Sequence, residues 1–148
     1  MSYTSLHYHI VFSTKERKPY LDNGGNDRLH AYFGGMLRTM KAKLHAVNST
    51  ADHIHLAVGL HPDMALSSFM RTIKTNSSKW IHDTFGALDT FSWQEGYSAF
   101  SVSYSGMDKV MQYIAGQQEH HKKLSFEEEL ILLLQKHQID YDPRYVFK

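Results

Sequence analysis

The order of apolar patterns along the chain constrains its fold more than any other feature. Alternating runs rich in β-branched and aromatic residues predict strands at 6–13, 44–48, 52–60 and 99–103. Apolar residues at helical spacing predict helices at about 26–43, 65–85, 107–121 and 126–137. This alternation of strands and helices is typical of an α+β fold in which helices pack on a central antiparallel sheet.

The same order is shared by ferredoxin-like and RRM-like domains with a split βαβ layout, and it predicts that the first and third strands are central neighbours. Residues 49–51 have the right length for a hairpin between strands two and three. Gly34 and Gly35 fall within the first helix, and because each glycine costs a helix about 1 kcal/mol, we expect close packing there. The sequence has no linker or repeat, so we expect a single domain over residues 1–148, with a C-terminal helix and tail from about 125.

The composition excludes several classes of site. The chain has 148 residues, 42% of them hydrophobic and 13% aromatic, which is enough for a buried core and argues against general disorder. It has no cysteine, so disulfides, zinc fingers and thiol nucleophiles are excluded. The sequence has no signal peptide and no apolar run near the roughly 20 residues that cross a membrane, so we expect a soluble, cytoplasmic protein.

Two histidines one residue apart, His53 and His55, lie in the predicted third strand. Side chains at i and i+2 of a strand leave the same face, so both imidazoles can converge on one metal ion. His7 and His9 have the same spacing in the first strand, so spacing alone does not choose between the pairs. Asp52, which could orient an imidazole of the later pair, favours His53 and His55.

Tyr113 and Gln117 lie four residues apart in the predicted third helix. Side chains at i and i+4 share a helix face, so a phenol and an amide can project together. The phenol is a possible nucleophile and the amide oxygen a possible metal ligand. Each residue alone also has an ordinary explanation, as a half-buried helix tyrosine or a surface amide.

Basic residues are unevenly distributed. The net charge is only +1, yet residues 1–50 contain seven Lys or Arg against three Asp or Glu. Lys15, Arg17 and Lys18 are closely grouped, whereas 127–129 is a run of glutamates. The front half of the chain could therefore face phosphates, although a solvated loop of mixed charge explains the same trio.

Several separated segments together resemble one family, the single-tyrosine HUH transposases. These enzymes mobilise small bacterial insertion sequences and include the REP-associated tyrosine transposases. The resemblance extends over nearly the whole chain, and two separated motifs in the right order make it specific. The segments that carry it are 8–15, 51–60, 93–97, 100–103, 113–121 and 125–147.

The resemblance implies a role for each motif residue. His53, His55 and Gln117 would be the metal ligands and Tyr113 the nucleophile. Two imidazoles and an amide oxygen suit Mg²⁺ or Mn²⁺, although imidazoles also accept Zn²⁺, Ni²⁺ or Co²⁺. The implied enzyme cleaves single-stranded DNA through a 5′-phosphotyrosine intermediate and rejoins it to another strand.

The resemblance also implies partners. Single-stranded or hairpin DNA is the substrate of the family, and its members work as homodimers in which the tyrosine helix of one subunit can complete the metal site of the other. No membrane partner is expected. Six residues are our candidates for DNA contacts, the basic ones to phosphates and the aromatic ones to bases. They are Lys15, Arg17, Lys18, Lys74, Trp93 and Tyr97.

The sequence departs from the family pattern at Gly116, where the family commonly has Asn before the metal-binding glutamine. Glycine loosens a helix where Tyr113 must be aimed. Our hypothesis is that Gly116 is a hinge that lets the helix move between subunits.

Other functions remain open at this stage. A domesticated REP-associated relative acting on chromosomal repeats would use the same chemistry, and a non-catalytic RRM-like nucleic-acid binder would share the topology. A metal-dependent hydrolase without a covalent step is a further alternative. A histidine-triad enzyme would need a third histidine where Ala57 stands, and the downstream Glu and His of a cupin are not found at the required spacing.

Overall fold

A computed structural model describes residues 1–21, 26–88 and 90–147. Its strands form a four-stranded antiparallel sheet with the order β2-β3-β1-β4. The first and third strands are central neighbours, and the predicted α+β fold is confirmed. The strands are β1 (His7–Ser13), β2 (Lys43–Ser49), β3 (His53–Gly59) and β4 (Ser98–Val102).

Helices cover both faces of the sheet. The main core lies between one face and the first two helices, where Phe12 and Leu56 meet Phe33 and Phe69. Because side chains alternate along a strand, the intervening residues of β1 and β3 point to the opposite face, which the last three helices cover. The helices are α1 (Asn26–Thr39), α2 (Leu66–Thr84), α3 (Met107–Ala115), α4 (Gln117–His120) and α5 (Phe126–Lys136).

Helix α5 is held by a small hydrophobic cluster of its own. Phe126, Leu130 and Leu134 pack on Val11 and Phe100, on the face of the sheet away from the main core. The helix begins at a capping box, in which the Ser125 hydroxyl accepts from the Glu128 backbone N–H while the Glu128 carboxylate accepts from the Ser125 N–H. The helix therefore has a defined start and a satellite core, separate from that under α1 and α2.

Three details of the helices differ from the sequence predictions. Helix α1 ends at Thr39 instead of near 43, because Lys41 has a φ of 55° and cannot continue a right-handed helix. The predicted third helix is interrupted at Gly116, which separates α3 from α4. The expected close packing at Gly34 and Gly35 is wrong, because no atom lies within 4 Å of where a Cβ would stand at either residue.

Candidate active site

The two histidines of β3 point into the helix-covered face of the sheet. His53 and His55 have no exposed surface, and Ile54 between them belongs to the main core on the other face. Their strand lies between β2 and β1, with His55 opposite Val11 and His53 opposite Ser13. The imidazoles are therefore fixed to the rigid middle of the sheet.

Helices α3 and α4 bring the other two motif residues to these imidazoles. Gln117 has no exposed surface, and its Oε1 lies 3.4 Å from His53 Nε2. The Tyr113 ring is edge-on to His55, with 5.9 Å between ring centroids. The structure thus brings together all four residues that the motifs singled out.

A glutamate that the sequence analysis did not single out lies at the centre of the group. Glu129 of α5 is 1% exposed. Its Oε1 accepts hydrogen bonds from His55 Nε2 at 3.0 Å and His121 Nε2 at 3.1 Å, and it lies 3.4 Å from His53 Nε2. Its Oε2 accepts from the Tyr113 hydroxyl and, at 3.0 Å, from Gln117 Nε2. One carboxylate therefore contacts three imidazoles, a phenol and an amide.

Further side chains fix the orientation of the two imidazoles. The Asp52 carboxylate accepts from His53 Nδ1 at 2.7 Å, which directs His53 Nε2 into the site. His9 of β1 shares a 2.8 Å hydrogen bond with His55 Nδ1 through its own Nε2. If His55 Nε2 bound a metal ion, Nδ1 of the same ring would carry the proton, and His9 Nε2 is in place to accept that hydrogen bond.

The electrostatics of the site favour a negative charge on Glu129 and a positive charge on His53. Burial alone would raise the pKa of the Glu129 carboxyl, but hydrogen bonds from three histidines, led by His121, hold that pKa well below its usual range. Burial alone would lower the pKa of His53, but hydrogen bonds with Asp52 and Glu129 raise the pKa above its ordinary value. Glu129 is therefore an anion that favours the protonated form of His53.

His55 and His9 are neutral at physiological pH. Burial lowers the pKa of His55 to about 4, despite the opposing effect of Glu129. Burial, followed by repulsion from His55, lowers the pKa of His9 to about 3. Neutral imidazole is the form that binds metal ions.

The phenol is a hydrogen-bond donor in this arrangement. Burial, and then the hydrogen bond to Glu129, raises the pKa of Tyr113 above its ordinary value. Tyr113 is therefore protonated while its hydroxyl donates to Glu129.

Among the described residues, one group of acidic and imidazole side chains has the spacing of a metal site. The potential ligand atoms of His53, His55, His121 and Glu129 all lie within 4.8 Å of one another. Imidazole nitrogen with carboxylate and amide oxygen is a donor set suited to a divalent transition-metal ion such as Mn²⁺. The buried cluster is therefore compatible with a divalent metal site.

Comparison with known proteins identifies the family. The family model described as "Transposase IS200 like" matches residues 2–117 of the chain. The chain belongs to the IS200-like transposase family. This matched region includes His53, His55, Tyr113 and Gln117, and it ends before His121 and Glu129.

Individual relatives agree with the family assignment. The chain is 28% identical over 120 residues to the transposases for insertion sequence element IS200 of Salmonella typhimurium and Salmonella typhi, and each alignment covers 78% of both chains. Two solved structures share the fold. One is a candidate transposase from Deinococcus radiodurans, with a TM-score of 0.66, 24% identity and coverage of 78% of this chain and 93% of that chain. The other is a REP-associated tyrosine transposase bound to a REP hairpin, with a TM-score of 0.62, 18% identity and coverage of 82% and 72%.

The basic residues predicted to contact DNA lie beside the C-terminal tail. Lys15 and Arg17 belong to a single 3-10 turn, which Lys18 follows. The Arg17 guanidinium pairs with the Glu127 carboxylate and donates to the Phe147 carbonyl at 3.1 Å. A groove of about 500 Å³ adjoins this turn. Its lining includes Lys15, Arg17, Gln94, Glu95, Arg144 and Phe147.

The remaining three predicted DNA contacts have different surroundings. The Lys74 ammonium donates to the carbonyls of residues 94, 95 and 96 at 2.5 to 3.0 Å. Trp93 is 7% exposed, and its indole N–H donates to Ser77 Oγ at 2.9 Å. Tyr97 is 37% exposed. In this transposase Lys74 and Trp93 thus support the loop before β4, while Tyr97 offers a ring surface.

Three residues of the site were not predicted from the sequence, and they differ in the sequence signal that could have indicated them. His121 lies four residues after Gln117 and so repeats the spacing of Tyr113 and Gln117. His9 belongs to the earlier His-x-His pair, whose other member, His7, contacts His45 instead, with 3.1 Å between their ring nitrogens. Glu129 gave no local signal, because nothing in the acidic run 127–129 distinguishes it from its neighbours.

Among the described residues, no helix is both long and apolar enough to cross a membrane.

Proposed function

We propose that this chain is a metal-dependent single-stranded DNA endonuclease and strand transferase that uses Tyr113 as its nucleophile. The observation that carries the proposal is the meeting of the Tyr113 phenol with His53, His55 and Gln117 in one buried cluster. A nucleophile beside a set of metal-binding side chains is what phosphoryl transfer requires.

The donor atoms present fit a divalent ion. His53 Nε2, His55 Nε2 and Gln117 Oε1 would hold it, and Mg²⁺ or Mn²⁺ is the proposed cofactor. When bound, the ion supplies Lewis-acid stabilisation of charge on the scissile phosphate and the leaving oxygen. Asp52 and His9 keep the two imidazole Nε2 atoms directed at this position through their hydrogen bonds to the opposite ring nitrogens.

The reaction that we propose for Tyr113 exchanges one phosphodiester for another. The phenolic oxygen loses its proton and bonds to phosphorus, the bond from phosphorus to the 3′ oxygen breaks, and the 3′ oxygen takes up a proton. The products are a 5′-phosphotyrosine and a free 3′ hydroxyl. Because the new linkage keeps the reactivity of a phosphodiester, a second 3′ hydroxyl can reverse the step without ATP, which joins two strands.

Single-stranded or hairpin DNA is the proposed substrate. Lys15, Arg17 and Lys18 form the basic turn that we propose for phosphate contacts, and Tyr97 is the aromatic surface for stacking. We propose that Lys74 and Trp93 assist DNA binding indirectly, because they hold the loop before β4 in place. The shared fold with a transposase that was solved with a REP hairpin supports a structured DNA substrate.

A homodimer in the cytoplasm is the proposed working form, following the family. Within the single chain Tyr113 already faces His55 and His9, with ring centroids 5.9 and 5.8 Å apart. We therefore propose that the first cleavage uses the tyrosine and the metal ligands of one chain.

The proposal is tested by a covalent adduct. The protein is incubated with long circular single-stranded DNA and Mn²⁺ or Mg²⁺, and a denaturing gel is examined for a protein-DNA species. We expect the adduct with wild type and its loss in both Tyr113→Phe and His55→Ala. Binding without any adduct, on varied hairpin-containing DNA, would favour the non-catalytic nucleic-acid binder.

A further inference from the structure

The Glu129 carboxylate stands between the metal ligands and the nucleophile. Its Oε1 faces the Nε2 atoms of His53, His55 and His121 at 3.0 to 3.4 Å, and its Oε2 accepts from the Tyr113 hydroxyl. With this anion in place, no buried side-chain nitrogen or oxygen among the described residues lacks a hydrogen-bond partner. The carboxylate therefore supplies a hydrogen-bond acceptor to the buried imidazoles, phenol and amide that surround it.

A scissile phosphate needs the same position. For Tyr113 to attack, phosphorus must approach the phenolic oxygen while another oxygen of the phosphate points at the metal ligands. A carboxylate, like a phosphodiester, is a compact anion that presents two oxygens. Glu129 already directs one oxygen to each of these two places, so the carboxylate and the phosphate cannot occupy the site together.

We propose that Glu129 is an exchangeable metal ligand, which binds the ion through Oε1 in the DNA-free protein and is displaced by the scissile phosphate. The inference rests on the proposed function and adds to it a residue outside the matched family region of 2–117. It assigns to the C-terminal helix a place in the active site before DNA arrives.

A second contact of the same helix turn supports this exchange. Glu127, two residues before Glu129, pairs with Arg17, which we propose as a phosphate contact. Two carboxylates of α5 thus occupy two positions proposed for DNA phosphates. The helix packs on its own satellite cluster, so its movement does not require the core under α1 and α2 to open.

The decisive variant is Glu129→Gln, which keeps the size of the side chain and removes its charge. Two quantities are measured: the affinity of DNA-free protein for Mn²⁺ by calorimetry, and the affinity for a labelled single-stranded hairpin by fluorescence anisotropy at saturating Mn²⁺. We expect Mn²⁺ affinity to fall by about tenfold or more and DNA affinity to rise severalfold. Opposite changes are the signature of a ligand that competes with DNA.

Two neighbouring variants serve as comparison. Glu128→Gln leaves both affinities unchanged, because glutamine preserves the capping box and Glu128 faces away from the site. Glu127→Gln raises DNA affinity and leaves Mn²⁺ affinity unchanged, because only the ion pair with Arg17 is weakened. Thermal melting of each variant in EDTA verifies folding.

Other outcomes overturn the inference. A fall in both affinities for Glu129→Gln would mean that the carboxylate is a permanent ligand or only supports the fold, and no change in either would mean that it is not a ligand. Absence of DNA binding by every variant would also reject it. Absence of a covalent adduct alone would reject the proposed cleavage while leaving the two affinity measurements valid.

Discussion

At the scale of single residues, the hydrogen bond between Asp52 and His53 has a measurable consequence. Asp52→Ala removes the charged acceptor of His53 Nδ1, so only the Thr50 hydroxyl, at 2.7 Å, still orients His53 Nε2 into the site. Loss of such an orienting partner lowers metal affinity about 10- to 100-fold, and we expect calorimetric titration with Mn²⁺ to show a decrease of this order. Asp63→Ala is the matched control, since Asp63 pairs with the exposed His61. Equal affinity of the Asp52 variant and wild type would contradict the role of Asp52.

The neutral histidines give the metal-free protein a defined pH dependence. Because the pKa values of His55 and His9 are lowered to about 4 and about 3, the folded state binds fewer protons than the unfolded state below pH 6.5. The free energy of unfolding therefore decreases as pH falls from about 6.5 to 4, by about 1.4 kcal/mol per pH unit for each of these protons. Urea unfolding in EDTA at several pH values measures this slope.

A variant isolates the contribution of one imidazole. His9→Gln removes a group that must be neutral in the folded protein, so the decrease between pH 6.5 and 4 becomes shallower. His53, whose pKa is raised, contributes in the opposite sense, with stabilisation that is present at low pH and lost above its ordinary pKa. An unchanged slope in the His9 variant would show that His9 is not buried as a neutral ring.

At the scale of secondary-structure elements, α1 contains a glycine that lowers the stability of the helix and has no packing role. Gly35 is exposed, and open space surrounds the position of a Cβ. Gly35→Ala should raise the free energy of unfolding by about 0.5–1 kcal/mol, measured by chemical denaturation. Gly59→Ala is the contrasting variant, because its Cβ would lie 3.1 Å from His7 Nδ1, and we expect no stabilisation there.

The break between α3 and α4 allows a direct test of the hinge hypothesis. A Cβ on Gly116 would meet His120 Nε2 at 3.4 Å and the Gln112 carbonyl oxygen at 3.6 Å, which are ordinary contacts, so alanine fits without strain. Alanine also favours a continuous helix by about 1 kcal/mol. If Gly116 is a hinge, Gly116→Ala forms the first adduct but transfers strands more slowly. Strand transfer at the wild-type rate would reject the hinge.

At the scale of the whole molecule, a mixing experiment tests whether the tyrosine helix acts in its own subunit or in the other subunit of a dimer. His55→Ala retains Tyr113, and Tyr113→Phe retains the metal ligands, so a mixture of the two restores cleavage only if tyrosine helices act across subunits. Because Tyr113 faces the histidines of its own chain, we expect no adduct from the mixture. Recovery of the adduct would establish exchange of the helix between subunits, and sedimentation of wild type reports the dimer itself.

The sheet and its motif residues could be predicted from the sequence because they depend on local periodicity. Alternation placed His53 and His55 on one face of β3, and helical spacing placed Tyr113 with Gln117. The central position of β3 followed from the order of the elements.

The features that could not be predicted from the sequence depend on contacts between distant segments. Glu129 reaches His55, 74 positions earlier, only because α5 packs on Val11 and Phe100. The break at Gly116 was anticipated as a weak point but not as an end of the helix. Such features follow from packing between elements, which a local pattern does not contain.

The hydrogen bonds that Lys74 makes to the loop before β4 reduce the conformational freedom of that loop in the folded protein. Its ammonium holds the carbonyls of residues 94–96 on α2, while Trp93 anchors the same loop in the core. Ordering a free loop costs about 1–2 kcal/mol of backbone conformational entropy for each residue. Here the loop is already ordered when the chain folds. If DNA binds at Tyr97 and the neighbouring groove as we propose, it meets a surface whose shape is already set, and its binding free energy is not reduced by the ordering of this segment.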